Sequence, residues 1–337
     1  MKRYWEIREK IRENQFVTSL AYLLQGMRAR FDNQFAKTMR SASAAAGSAE
    51  GVALCIRIRD EAPNLRELVE YYLAAGVRHI FFYEARSTDD FHSVLDPFVQ
   101  SGDVTLIENW PHVPISPAAE HDCALRCVGK YAWMGCVDAD EFVVVANHQR
   151  IDDVLAALPA SQPALALHWR FFGSGGHIQR PQMPVIAAYT LREQQTNRHV
   201  KLFLRPERAV LCRNSHSWYF TGFLSAALNE RGERVLGSTH LPAASEKIWI
   251  NHYYHKSMEE FQARGRRVSV LDKVGIQFNS RTPERGADYE SHSNAVKDLS
   301  AVSYHLALCQ RQGCSVCAAL ILRAPEGQEV AESVLSQ

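Results

Sequence analysis

From residue 51 onward the chain alternates between short apolar runs and amphipathic stretches. Val52 to Ile58 is a continuous apolar run, broken only by Arg57 and closed by Arg59, Asp60, Glu61 and Pro63. It reads as a strand buried on both faces. Leu65, Leu68, Val69, Tyr72 and Leu73 then recur at helical spacing and stop at Gly76. His79 to Tyr83 is a second strand, followed by a polar loop, Ser87 to Asp90, suited to capping the next helix. Val94 to Val99 is helical, Val104 to Ile107 is a third strand, and Ala118 to Lys130 is a helix that leads into a fourth. Strands separated by helices predict a βαβ series, and hence an α/β fold with a mostly parallel sheet.

The fourth strand carries the chemistry. Trp133-Met-Gly-Cys-Val137 runs straight into Asp138-Ala139-Asp140-Glu141, and the pattern returns to apolar at Phe142 to Val145. Three carboxylates therefore sit where a buried strand leaves the sheet, the edge at which open α/β sheets bind ligands. Two aspartates one residue apart can aim oxygens at one point, as Mg²⁺ or Mn²⁺ requires. Alone, such a pair is common in solvated turns; the strand on either side of it favours a cation site. A glycine-rich dinucleotide loop is missing after the first strand, which lowers the odds of a dehydrogenase.

Beyond this point Ile151 to Leu158 reads as a short helix and Ala164 to Trp169 as a strand. Phe172 to His177 is a glycine-rich loop with a titratable His177, and Lys201 to Arg205 is a strand with polar ends. His252, His255 and Lys256 cluster just before Ser257, a helix N-cap with Glu259 and Glu260 in its first turn. The region from Arg264 to Glu290 is rich in Arg, Ser and Glu, and reads either as a segment closing over an anionic substrate or as an ordinary solvated face. Upstream, Phe16, Leu20, Leu23, Leu24, Met27 and Phe31 mark an N-terminal helix, and residues 41–50 a Ser/Ala linker. That helix either packs on the main domain or a partner, or lies as a basic amphipathic helix on a membrane surface. The expected division is residues 1–50 for helix and linker, 51–305 for the main domain and 306–337 for a tail.

Composition narrows the class. A 337-residue chain with 46% hydrophobic and 22% charged residues is an ordinary globular protein. A formal charge of +1 gives no support to a nucleic-acid partner. Neither a membrane-spanning run nor a signal-like N-terminus is present, so a cytoplasmic location is expected, peripheral to the inner membrane surface if the helix binds lipid. The eight cysteines are then mostly reduced. Cys309, Cys314 and Cys317 cluster, but with no convincing fourth ligand they read as incidental thiols.

Arg57 to Glu67, then Glu70 to Val77, resemble the opening of glycosyltransferase family 92 and the related family 2. So do Phe82-Tyr83 with Ser87 to Asp90, the Asp138-Ala-Asp140-Glu-Phe142 signature, the Phe172–His177 loop, Val200-Lys201 with Arg205-Pro206, and His252-Tyr253 with Lys256-Ser257 and Glu260-Phe261. Where relatives carry a polar pair after the second strand, this chain has Glu84-Ala85-Arg86. The resemblance spans residues 51–305. It implies a GT-A fold, a Rossmann-like nucleotide-binding core, and a hexosyltransferase-type reaction from a nucleotide-sugar donor to a saccharide or glycolipid hydroxyl, with inversion. It implies Mn²⁺ or Mg²⁺ held by Asp138, Asp140 and His252. Candidate donor contacts are Arg59, Glu61, Asp89, Asp138, Lys201, Arg205 and Lys256; candidate general bases are Glu141, His177 and Glu193. The aromatic residues Trp218, Tyr219, Phe220, Tyr253 and Tyr254 are either acceptor platforms or core. The competing readings are another metal-dependent nucleotide enzyme, a nucleotidyltransferase or phosphohydrolase, and a non-catalytic carbohydrate-binding protein.

Overall fold

The structure, a computed structural model, describes residues 38, 39, 41, 49–110, 117–222, 225–265 and 283–312. The expected N-terminal helix and its membrane contact, Cys314 and Cys317 lie outside these residues. In order, the elements are β1 (Val52–Ile58), α1 (Ala62–Ala74), β2 (Val77–Glu84), α2 (Phe91–Ser101), β3 (Val104–Ile107), α3 (Ala118–Cys127), β4 (Trp133–Asp138), β5 (Glu141–Val145), α4 (Ile151–Ala156), β6 (Ala164–Phe171) and α5 (Val185–Ala188). There follow β7 (Leu191–Arg192), β8 (Asn197–Leu204), β9 (Ala209–Asn214), β10 (Ser217–Phe220), β11 (Ala227–Leu228), β12 (Arg234–Val235), β13 (Ile248–His252), α6 (Met258–Gly265), α7 (Pro283–Ser293), β14 (Val296–Lys297) and α8 (Ser300–Gln312).

The main sheet runs β12-β11-β6-β8-β4-β1-β2-β3. Strands β4, β1, β2 and β3 are mutually parallel, as the βαβ pattern predicts. Strand β8 enters antiparallel between β4 and β6. The alternation along β1 explains why its sequence is apolar throughout. Val52, Leu54, Ile56 and Ile58 belong to one core cluster; Ala53 and Cys55 belong to another on the opposite face. The first cluster takes in α1, α2, α4 and α8, and the second takes in α3, the β9–β10 hairpin and Met39. A sheet covered on both sides has no polar face for its central strands to show.

One open alternative is decided here and one boundary is corrected. Trp218, Tyr219 and Phe220 are at most 4% exposed; Trp218 and Phe220 belong to the second core cluster, so they are core and not a sugar platform. Their apolar area is what closes the sheet on that side. The boundary drawn after residue 305 falls inside α8, whose Leu308 and Cys309 are buried, so the domain runs on at least to Gln312. Among the described residues no helix is long and apolar enough to cross a membrane.

Strand β4 is tightly packed at its middle. A Cβ on Gly135 would lie 2.5 Å from Phe203 Cε1 and 2.7 Å from Leu54 Cδ2. Both neighbours sit in the sheet centre, so neither can move freely. Gly135→Ala is therefore expected to lower stability by about 1–3 kcal/mol. Urea denaturation should show a lower midpoint with an unchanged slope.

Candidate active site

The site is built where β4 ends. The β4–β5 turn is fixed by its own third carboxylate: Glu141 Oε2 accepts the Asp138 N–H at 3.0 Å. Two tyrosines of α1 hold β5 from below, Tyr72 Oη donating to the Glu141 carbonyl at 2.7 Å and Tyr71 Oη to that of Val143 at 2.8 Å. Strand β13 then pairs antiparallel with β5 and places His252 opposite Glu141. On its other side β13 pairs with β6, His252 beside Phe171. Register thus brings together residues that are more than a hundred positions apart. The backbone N–H of Tyr253 closes the arrangement on the Asp140 carbonyl at 2.8 Å.

The side chains form a layered charge network. His252 Nε2 stands 3.5 Å from Asp140 Oδ1, and its Nδ1 stands 3.9 Å from Glu141 Oε1. Both Nδ1 of His252 and Oε1 of Glu141 are buried without a hydrogen bond. The rings of Trp169 and Phe171 edge onto the imidazole at 4.4 and 5.1 Å. Lys201, 1% exposed, donates to Asp138 Oδ2 at 2.8 Å and lies 3.7 Å from Glu141 Oε2. Asp138 alone of the three acids opens outward, its side chain 40% exposed. Arg57, its register partner on β1, reaches the buried Glu120 at 3.6 Å.

Burial penalises charge on all three acids, and their neighbours decide the outcome. At Asp138 the Lys201 ammonium and Arg57 guanidinium outweigh burial and hold the carboxyl below its usual range. At Asp140 burial is outweighed by His252, Arg264 and Lys256, and the carboxyl is held well below that range. Glu141 has Lys201 only at the longer distance, so burial wins and its carboxyl rises to about 7.

The two loops beside the site clamp each other. Asp60 N–H donates to Ser87 Oγ at 3.0 Å, and Thr88 N–H donates to Asp60 Oδ1 at 2.6 Å. Asp89 Oδ2 accepts the Ala62 N–H at 2.7 Å, at the start of α1, while Asp90 caps α2. Arg59 lies against Asp60 at 3.8 Å. Glu61 faces Lys256 Nζ at 3.6 Å, and Lys256 is buried in a left-handed turn, φ 55°. Ser257 opens α6 as expected, its Oγ accepting the Glu260 N–H at 3.2 Å. The carbonyl of His177 accepts the Met258 N–H at 3.1 Å. Glu193, half-buried, is tied through its N–H to the Phe171 carbonyl at 2.9 Å, beside the strand that carries His252. Arg205 is elsewhere: its guanidinium stacks on Trp133, the first residue of β4, at the end of the strand remote from Asp138. It is a structural cation, bonded to the Gln162 and Leu158 carbonyls.

The sequence reading missed Arg264. Its Nη1 donates to Asp140 Oδ2 at 2.5 Å. The one signal for it is spacing, three residues after the buried Phe261 on the same helical face. It likewise missed β13, which was read as a polar lead-in to a helix.

Does this residue set suit a divalent cation? An Nδ1–H on His252 would face Glu141 Oε1 at 3.9 Å, beyond hydrogen-bond reach, and would leave the Nε2 lone pair on the Asp140 side, where a metal-ligating histidine presents its nitrogen. Carboxylate oxygen plus imidazole is a suitable donor set for Mn²⁺, and Mg²⁺ sites routinely use one or two carboxylates with substrate phosphates. Among the described residues no three His, Cys, Asp or Glu side chains converge on one point, so these residues alone form no closed cage. The set fits an ion that shares its shell with a substrate.

The profile of glycosyltransferase family 92 matches residues 50–298. The chain belongs to that family. A family 92 protein of Oryza sativa subsp. japonica is 30% identical over 71% of this chain and 40% of its own length. One of Arabidopsis thaliana is 24% identical over 67% of this chain and 39% of its own. The chain thus spans about two fifths of the length of these curated relatives. Among solved structures, glucosyl-3-phosphoglycerate synthase from Mycobacterium tuberculosis, in complex with Mn²⁺, uridine diphosphate and glucosyl-3-phosphoglycerate, aligns at 13% identity and TM-score 0.27 over 39% of this chain and 47% of that one. S. aureus TarS with UDP-GlcNAc aligns at 11% and 0.30 over 46% and 45%.

The raised Glu141 carboxyl gives a test on metal-free protein. An ordinary glutamate ionises at about 4.3 when unfolded. A folded value near 7 means the native state binds this proton more strongly. Its stabilising contribution is present at acid pH and is lost as pH rises between those values. Glu141→Gln should therefore gain in melting temperature relative to wild type as pH goes from 5 to 8. A pH-independent difference between the two would contradict the assignment.

Proposed function

We propose that this chain is a metal-dependent transferase that moves a sugar from a nucleotide-sugar donor to a hydroxyl of a saccharide or glycolipid acceptor, with inversion at the anomeric carbon. The observation that carries the reading is the pairing of Asp140 Oδ1 with His252 Nε2 at 3.5 Å, in the turn that follows the carboxyl end of β4. Family membership supplies the reaction class. Asp140 and His252 would hold the cation, with Asp138 at the mouth contacting it or the donor ribose. When bound there, a divalent cation stabilises the charge that develops on the departing diphosphate.

The chain's own groups do the rest. Glu141 is fully buried behind the site and out of reach of an acceptor hydroxyl. Its role in this reading is to orient His252 and to cap the turn. Lys201, held between Asp138 and Glu141, balances the acids from within. Of the three candidate bases we favour Glu193: half-buried, just after β7, with its N–H on the carbonyl of Phe171 that ends β6 and its carboxyl raised by burial against the pull of His292. A partly exposed carboxylate with a raised pKa is a stronger base than an ordinary one, which suits it to take a proton from a hydroxyl. His177 anchors the start of α6 through its backbone and is the alternative.

A thermal-shift screen of nucleotide sugars with and without Mn²⁺ identifies the donor, because binding to the native state raises its stability. Product analysis by NMR then reads the anomeric configuration, which should be opposite to that of the donor. Retention would refute inversion, and metal-dependent nucleotide turnover without sugar transfer would refute the transferase reading. In the same assay Asp140→Asn should lower transfer by roughly 10²–10³-fold. Glu193→Gln should lower kcat by about 10²–10⁴-fold with donor binding unchanged. Full activity in Glu193→Gln would pass the role to His177.

A further inference from the structure

Arg264 sits where a cation belongs. Its Nη1 is 2.5 Å from Asp140 Oδ2, while Nη2 donates to the carbonyls of Tyr254 at 2.6 Å and His255 at 3.2 Å. Those carbonyls belong to the segment that leaves β13 directly after His252. The guanidinium therefore bridges the acid and the strand end that together form the expected metal pair. Its side chain is 9% exposed and that of Asp140 is 11% exposed. An ionised carboxylate so far out of water is costly unless a positive group faces it. Arginine supplies that charge permanently and in a fork that serves carboxylate and carbonyl at once.

We propose that Arg264 is a built-in counter-ion that competes with the divalent cation for Asp140, so that the metal is held weakly alone and tightly only together with the donor diphosphate. Charge bookkeeping around the turn leads there. Asp138 has Lys201 at 2.8 Å, Asp140 has Arg264, and Glu61 has Lys256 at 3.6 Å. Asp138, Asp140 and Glu61 are each matched before any ion arrives. A doubly charged cation entering beside His252 faces a carboxylate already occupied on its other oxygen, and the excess positive charge opposes it at short range. A diphosphate that enters with the cation brings compensating negative charge and gives the guanidinium a second anionic partner. The two ligands are thereby coupled through one side chain. This inference rests on the metal-dependent reading above and adds the residue that controls when the metal binds.

The test uses the full chain and Mn²⁺ as the probe, with free Mn²⁺ read by electron paramagnetic resonance in the absence of nucleotide. Arg264→Gln should bind Mn²⁺ alone roughly ten-fold more tightly than wild type. Arg264→Lys keeps the charge but loses the fork, and should fall between them. Metal-free Arg264→Gln should also melt below wild type and recover more on adding Mn²⁺. A merely structural arginine would lower the melting temperature and leave Mn²⁺ affinity unchanged or weaker; that result overturns the proposal. If Arg264→Gln does not fold, equal Mn²⁺ affinity in Arg264→Lys and wild type overturns it as well. Absence of Mn²⁺ binding in wild type and variants, even with a nucleoside diphosphate present, overturns both this inference and the reading beneath it. Equal binding in all three overturns the inference alone.

Discussion

Uncompensated charge cannot be buried, and the rest of this structure answers to that constraint at the end of β4. Asp140 and Glu141 lie within the fold, and Asp138 lies at its edge. Each therefore needs a positive group or a hydrogen-bond donor fixed opposite it. The sheet order supplies these from far along the chain. Strand β8 enters antiparallel next to β4 and delivers Lys201. Strand β13 delivers His252 opposite Glu141, and α6 delivers Arg264 to Asp140. Had β13 slipped by one residue against β5, His252 would point to the other face and Asn251 would replace it.

The same constraint separates the three acids by role. Asp138 keeps partial access to solvent and a close ammonium, so it stays ionised at the mouth. Asp140 is buried, yet has three positive or protonatable neighbours, so it too stays ionised. Glu141 is deepest and least compensated, and it tends toward the neutral form. Carboxylates within four positions of one another thus acquire distinct chemistry from their surroundings alone. A ligand that adds positive charge perturbs this balance, and one that adds negative charge with it restores the balance.

Much of the frame was legible in the sequence, because it depends on local periodicity. The apolar runs at Val52–Ile58 and Val104–Ile107 coincide with β1 and β3, and the parallel order of the first four strands follows from the helices between them. The acidic turn was legible too, since charge next to a buried run is a local contrast. What escaped depends on long-range pairing. Strand β13 is five residues, Ile248–His252, in which Asn251 and His252 mask an otherwise apolar run; its register with β5 makes both polar residues buried and useful. The β9–β10 hairpin escaped for a related reason: Trp218 to Phe220 look like a binding surface until the uncovered face of the sheet is seen to need them.

Clusters of polar residues can be read in two ways, and geometry separates them by asking whether each group's bonds are already spent. Asp60, Ser87, Thr88 and Asp89 follow two strand ends, as donor-binding residues do. Their side chains nevertheless bond to one another's backbone and to the start of α1, which fixes the two loops as one unit. At the acidic turn Glu141 Oε1 and His252 Nδ1 face each other at 3.9 Å, both buried and both without a hydrogen bond. An unbonded acid–imidazole pair where a sheet edge and an acidic turn meet is the feature on which the proposed cation site rests.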